Sequence, residues 1–144
     1  MHNKTNMTAI RRGEPSDLEE VAAIQAASPE SALWNVNEYS QYEFTVAILN
    51  GRVAGFLVAR EVAPDERELL NLAVSPEFRR RGIARELLTS LLESFSGAVF
   101  LEVRESNQAA RNIYKSMGFK EVGRRREYYQ NPLETAIVMK FHSC

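Results

Sequence analysis

The chain has 144 residues, 44% hydrophobic, with 18 lysines and arginines against 19 acidic side chains for a net charge of -1, which suits one compact domain and gives no global basic field for non-specific nucleic-acid binding. Its single cysteine, Cys144, leaves no partner for an internal disulfide and suits a reducing compartment. No apolar run nears the roughly 20 residues of a membrane-spanning helix and the polar start Met1 to Asn6 lacks a secretory apolar core, so the chain is read as cytoplasmic, with residues 1–7 a flexible tail and 8–144 the domain.

Ala9 to Arg12 reads as a short strand. Ser16-Asp17-Leu18-Glu19 reads as a capping box, Ser16 and Glu19 satisfying each other's backbone donors. Leu18, Val21, Ala22 and Ile24 keep helical spacing to about Ala27, before Pro29. Ser31 to Tyr42, with Trp34 and Tyr39 among polar residues, reads as a short helix or a loop. Phe44 to Leu49 and Arg52 to Arg60 are two strands joined through Asn50-Gly51, the signature of a type I′ hairpin. After Ala63-Pro64-Asp65-Glu66 come a strand over Arg67 to Val74 and an amphipathic helix over Ile83 to Phe95. Ala98 to Val103 is a near-continuous apolar run, as for a strand covered on both faces. Asn107 to Met117 returns as a helix closed by Gly118. Phe119 to Arg126 and Thr135 to Phe141 form a closing antiparallel pair across Tyr128-Tyr129-Gln130-Asn131-Pro132. The order predicts one α/β domain, its central sheet mixed but mostly antiparallel and flanked by helices.

Two regions carry chemistry. Between the strand ending at Val74 and the next helix lies Ser75-Pro76-Glu77-Phe78-Arg79-Arg80-Arg81-Gly82-Ile83-Ala84. Arg79, Gly82 and Ala84 meet the pattern Arg/Gln-x-x-Gly-x-Gly/Ala, in which small residues let backbone N–H groups approach a pyrophosphate at a helix N-terminus. A run such as Arg79 to Arg81 is in most settings a solvated basic turn; its flanks here favour the grip on a nucleotide-bearing cofactor. The second region is Leu101 to Phe119. Glu102 is a carboxylate in an apolar strand, costly to bury alone, so it sits at the strand end, pairs, or faces a cleft. Partial desolvation raises a carboxylate's pKa and makes it a better base; the structural alternative is a salt bridge to a nearby arginine. Asn107, Ala110, Arg111 and Tyr114 share a helix face by spacing, so Asn107 and Tyr114 can point at one cleft.

What is missing narrows the chemistry. The two histidines, His2 and His142, lie near the ends, which leaves no Ser-His-Asp or Cys-His centre and no expected metal. Neither a Walker run nor a Gly-x-Gly-x-x-Gly fingerprint is present.

Leu101-Glu102-Val103-Arg104, Ser106-Asn107, Ala109-Ala110, Tyr114 and Gly118-Phe119, taken with Arg79 to Ala84, resemble the RimI branch of the GNAT N-acetyltransferases. Arg124-Arg125-Arg126-Glu127-Tyr128-Tyr129 and Glu134 to Met139 are similar to that branch's closing segment, and the resemblance covers about Thr8 to Lys140. It implies the GNAT fold, with strands splayed beside Val74 to hold acetyl-CoA, and direct transfer in a ternary complex to a protein N-terminal α-amine. The implied acceptor is a ribosomal protein such as the eighteenth of the small subunit, without direct nucleic-acid or membrane partners. By the same resemblance the backbone of Leu72, Ala73 and Val74 bonds the pantetheine arm, and Arg79, Arg80, Arg81, Gly82, Ile83 and Ala84 present amides and charge to the pyrophosphate. Asn107 contacts the cofactor, Glu102 takes the amine's proton directly or through a water, and Tyr114, also at the cofactor, protonates the departing thiolate. Trp34, Arg104 and Tyr128 are the implied acceptor contacts, although Trp34 reads first as a core residue or loop anchor and Tyr128 could equally be hairpin packing. One departure bears on the acceptor: Ser31-Ala32-Leu33-Trp34-Asn35-Val36 keeps a tryptophan without the proline that precedes it in the branch. Two alternatives stay open: the same enzyme with a lysine or small-molecule amine as acceptor, and a non-catalytic module that senses acetyl-CoA.

Overall fold

The computed structural model describes residues 8–28, 34–130 and 132–142. The expected tail, Pro29, Ser31 to Leu33, Asn131 and Cys144 lie outside them. The strands order as β1-β2-β3-β4-β5-β7-β6 in one seven-stranded sheet. The chain packs as two compact units, residues 1–60 with 70–94 and residues 61–69 with 95–144. No helix among the described residues is long and apolar enough to cross a membrane.

In the first unit, β1 (Ala9–Arg12), β2 (Glu43–Leu49) and β3 (Arg52–Ala63) run antiparallel. Asn50 and Gly51 turn β2 into β3 with φ of 55° and 74°, the two left-handed residues that a type I′ turn demands. Helix α1 (Leu18–Ala26) buries Val21 and Ile24 in a core with Tyr39, Phe44, Val46, Val53, Phe56 and Val58. The ambiguous segment resolves as a 3-10 helix over Val36–Gln41, which delivers Tyr39 to that core.

The cap of α1 differs from expectation. Pro15, whose ring presets a helical φ, starts a 3-10 turn over Pro15–Asp17 ahead of α1. Asp17, not Glu19, therefore folds back, accepting from the Glu14 N–H at 2.8 Å. Its carboxylate also receives both Arg11 Nη groups at 2.9 Å. The Arg11 hydrogen bond holds Asp17 below the ordinary carboxylate value against the opposing effect of burial, and the Glu14 amide adds to it. A depressed folded-state value means that stability is fully present above the unfolded value near 3.9 and is lost as pH falls through the folded one. Asp17→Asn is expected to lower unfolding free energy by about 1–3 kcal/mol at pH 7. In denaturant titrations the gap to wild type should shrink progressively below about pH 4.

In the second unit the first residues of β4 (Glu66–Val74) pair in parallel with β5 (Ala98–Arg104), Glu66 to Ala98 through Glu68 to Phe100. β5 and β6 (Lys120–Tyr129) lie on either side of β7 (Glu134–His142), both antiparallel to it. Covering of β5 is two-faced at its start, where Ala98 and Val99 are both buried, and alternates beyond it: Leu101 and Val103 are buried, while Phe100, Glu102 and Arg104 are half-buried. The apolar run is read by period 2 once its charged end is included. Strand β6 extends to Tyr129 and is exposed along nearly its whole length. Its register shifts between Glu121 and Gly123 and again between Arg125 and Tyr129, where Glu127 takes a φ of 53°. Such bulges re-aim side chains.

Candidate active site

The candidate residues fall into two groups, one in each unit. In the first, β4 buries Leu69, Asn71 and Ala73 and leaves Leu72 and Val74 half-buried. The Ser75 N–H donates to the Ala54 carbonyl at 2.7 Å, and Pro76–Phe78 forms a 3-10 turn that buries Phe78. Arg79 then doubles back. Its Nε donates to the Val74 carbonyl at 3.3 Å and its Nη2 to Ser28 Oγ at 3.4 Å, so its charge ties the loop to the strand end. Arg80 and Gly82 both take left-handed conformations, φ 66° and 76°, while the Arg81 guanidinium lies 5.7 Å from the Phe78 ring centre. Gly82 caps helix α2 (Ile83–Glu93) and has no side chain with which to satisfy its first amides. The first helical bond runs from the Glu86 N–H to the Gly82 carbonyl at 3.0 Å, which leaves the Ile83 and Ala84 amides ahead of the ladder at the positive end of the helix.

A Cβ built on Gly82 would meet nothing within 4 Å. Glycine holds this φ without strain, and the open space beside it leaves the amides at the helix start accessible from outside the protein, which fits a pyrophosphate. Gly82→Ala places an L side chain in the left-handed region and a methyl in that approach. Binding of CoA, titrated calorimetrically, is expected to weaken about tenfold.

A buried polar network lies behind β4. Asn71 Nδ2 donates to Gln25 Oε1 at 3.0 Å and to Tyr39 Oη at 3.2 Å, and its Oδ1 accepts the Leu72 N–H at 3.0 Å. The Tyr39 hydroxyl also donates to Gln25 Oε1, and Gln25 Nε2 donates to the Trp34 carbonyl at 2.7 Å. Of the three residues expected to bond a pantetheine arm, Leu72 therefore has its amide engaged by the protein itself. Trp34 joins this group through its carbonyl, with an indole that is exposed. Sequence reasoning passed over Gln25, Tyr39 and Asn71. The available signal was Asn71 itself, a polar residue at an inward position of Leu69 to Val74.

In the second group Glu102 projects from the half-buried face of β5, its side chain 18% exposed, and accepts from Arg125 Nη1 at 2.7 Å. It lines a cavity of about 250 Å³ with Val62, Glu68, Phe100, Leu101, Arg125 and Val138. The Arg125 guanidinium also lies 4.6 Å from the centre of the Tyr128 ring, and Tyr128 meets Tyr129 edge-on with centroids 5.2 Å apart. Burial, then the charge of Glu102, raises the Tyr128 phenol above its ordinary value, and the same two causes push Tyr129 up to about 12. Of the three placements expected for Glu102 (strand end, pair or cleft) the structure shows a pair and a cleft, the pair being the arginine salt bridge of the structural alternative. Arg125 is a residue that sequence reasoning did not single out.

Helix α3 (Gln108–Ser116) carries Tyr114, and its two ends are set by neighbouring residues. Asn107 caps the start, its Oδ1 accepting from the Ala110 N–H at 3.2 Å. The end is a Schellman motif: Gly118, at φ 104°, lets its N–H reach the Lys115 carbonyl and the Phe119 N–H reach that of Tyr114, at 3.1 and 3.0 Å. Phe119 thereby packs on Tyr114 with centroids 5.6 Å apart, and continues to Phe141 at 5.6 Å. Burial, with a smaller effect from Tyr129, drives the Tyr114 phenol well above its ordinary value. Arg104 is committed elsewhere: its guanidinium lies 4.3 Å from the Tyr129 ring centre and 3.4 Å from both Glu134 Oε1 and the Gln130 carbonyl. Glu134 in turn accepts from the Ser106 N–H at 2.5 Å. Arg104 is thus placed as the organiser of the β6–β7 connection.

Residues 9–119 match the Acetyltransferase (GNAT) family. The chain is 41% identical over 96 residues to the [ribosomal protein bS18]-alanine N-acetyltransferase of Escherichia coli K12, an alignment covering 62% of this chain and 64% of that protein. Against the enzyme of the same name from Salmonella typhimurium it is 40% identical over 109 residues, 72% of this chain and 73% of the other. The crystal structure of the ribosomal-protein-S18-alanine N-acetyltransferase from Escherichia coli superposes with a TM-score of 0.79 at 32% identity over 96% of each chain. The family match spans more than half of the chain, and the chain belongs to the GNAT acetyltransferase family.

Proposed function

We propose that this protein transfers the acetyl group of acetyl-CoA to the α-amine of a protein N-terminus, with an alanine-starting ribosomal protein as the acceptor class. The observation that carries the reading is Glu102, a half-buried carboxylate on the wall of a residue-sized cavity that Arg125 also lines. The relatives named for alanine N-terminal acetylation support the acceptor class.

Acetyl-CoA, when bound, supplies an activated acetyl thioester. The Ile83 and Ala84 amides, with the left-handed Arg80 and Gly82, would hold its pyrophosphate; Val74 and its neighbours would hold the pantetheine arm. An incoming amine arrives as an ammonium and must lose a proton before it is a nucleophile. Glu102 takes that proton, directly or through a water. Tyr114 donates its O–H toward the sulfur. Burial raises this phenol above its ordinary value, so near neutral pH it is present as the O–H. It acts as a fixed hydrogen-bond donor to the charge that develops on sulfur as the C–N bond forms and the C–S bond breaks, the amine's second proton passing to the departing thiolate. Carboxylate, phenol and guanidinium groups make up this set, and none needs to hold the acyl group, so transfer is direct.

The test is thiol release from acetyl-CoA across free-N-terminus peptides, the same peptides N-terminally blocked, and small amines. Turnover confined to free α-amines is expected. Turnover on blocked lysine peptides would move the acceptor to side chains, and binding of acetyl-CoA without turnover on any acceptor would make the protein a sensor.

A further inference from the structure

The ion pair at Glu102 raises a question for the reaction just proposed. Arg125 Nη1 sits 2.7 Å from Glu102 Oε2, on the carboxylate that would receive the acceptor's proton. A guanidinium keeps its protons throughout the working range, so it cannot relay one. We propose that Arg125 is a positioning residue for the transfer, a displaceable counter-ion that holds the Glu102 carboxylate in place and yields to the acceptor's own ammonium. This inference rests on the assignment of Glu102 as the base.

Three features fit displacement. The Arg125 side chain is 56% exposed whereas that of Glu102 is 18% exposed, so the arginine is the partner that can leave while the carboxylate stays fixed. Arg125 has a second seat, the face of the Tyr128 ring 4.6 Å away, which keeps it local after it lets go. The cavity that Glu102 and Arg125 share also contains Glu68, and its other walls are Val62, Phe100, Leu101 and Val138. Its volume of about 250 Å³ is that of roughly eight waters, which accommodates a small N-terminal residue. A neutral or blocked N-terminus has no charge to offer Glu102 in exchange, so the competition with Arg125 is felt only by a free ammonium.

Exposed ion pairs are weak, and removing the competitor should tighten acceptor binding only about two- to fivefold. Arg125→Gln is therefore expected to lower KM for an alanine-starting peptide by that factor, and Arg125→Lys, which keeps a cation, should stay near wild type. The decisive readout is calorimetric titration of peptide into enzyme with CoA present. Arg125→Gln should tighten binding of the free-amine peptide, leave the same peptide N-acetylated unchanged, and have no effect on either in the Glu102→Gln background. Equal effects on free and blocked peptide, or weaker binding of the free one, would overturn the proposal and make Arg125 a contact to the peptide body. Turnover of Glu102→Gln, measured alongside, reports separately on the base: wild-type turnover there refutes the base assignment, whereas lost turnover with no tightening in Arg125→Gln refutes the counter-ion alone.

Discussion

Glu102→Gln should lower kcat for an alanine-starting peptide by about 10²–10⁴-fold, the span of a lost general base, while binding of acetyl-CoA stays within about twofold. The amide is isosteric, keeps an oxygen that can accept from Arg125, and sits on a strand face already half-buried, so folding is spared. What disappears is the capacity to take a proton from an ammonium. The contrast between kcat and cofactor affinity therefore separates chemistry from architecture. If the variant retained wild-type turnover, Glu102 would be only the structural partner of Arg125. Partial recovery at high pH is the expected signature of a missing base, because solvent then supplies a growing fraction of free amine.

Tyr114→Phe is expected to lower kcat by about 10²-fold, comparable to the loss of one preorganised donor to developing charge, with little change in acetyl-CoA affinity. The ring remains on Phe119 and the Schellman bonds are backbone, so the thermal midpoint should hold within a few degrees. The sign of the pKa shift adds a second check. Burial raises the phenol, and an acid raised above its usual value is still neutral at pH 10. The kcat profile of the wild type should therefore show no alkaline decline from tyrosine ionisation up to about pH 10. Such a decline, abolished in Tyr114→Phe, would mean that the residue ionises in the working range and is not the fixed donor described.

How far these residues were legible depended on the range of the interactions that place them. The Asn50-Gly51 hairpin, the Arg79 to Ala84 loop and the Gly118 cap are specified within a few positions, and the structure has each where spacing puts it. Glu102 was conspicuous because charge interrupts an apolar run. Its partner was not. Arg124, Arg125 and Arg126 are equivalent by composition, and two shifts in the register of β6 decide that Arg125 faces Glu102. Asn71 and Gln25 meet across 46 positions, a distance at which spacing carries no information. The α1 cap moved because Pro15 fixes the backbone before Ser16 can act. Arg104, implied as an acceptor contact, is held on Tyr129 and Glu134 by a β6–β7 connection whose path no local pattern specifies.

The most direct test of the account uses one peptide with a free N-terminal alanine and an internal lysine, incubated with acetyl-CoA and the enzyme, with the acetyl group located by fragment mass spectrometry. A single acetyl on the α-amine is expected, with an unmodified lysine until the α-amine is consumed. Acetyl on the lysine while the α-amine remains free would contradict the account.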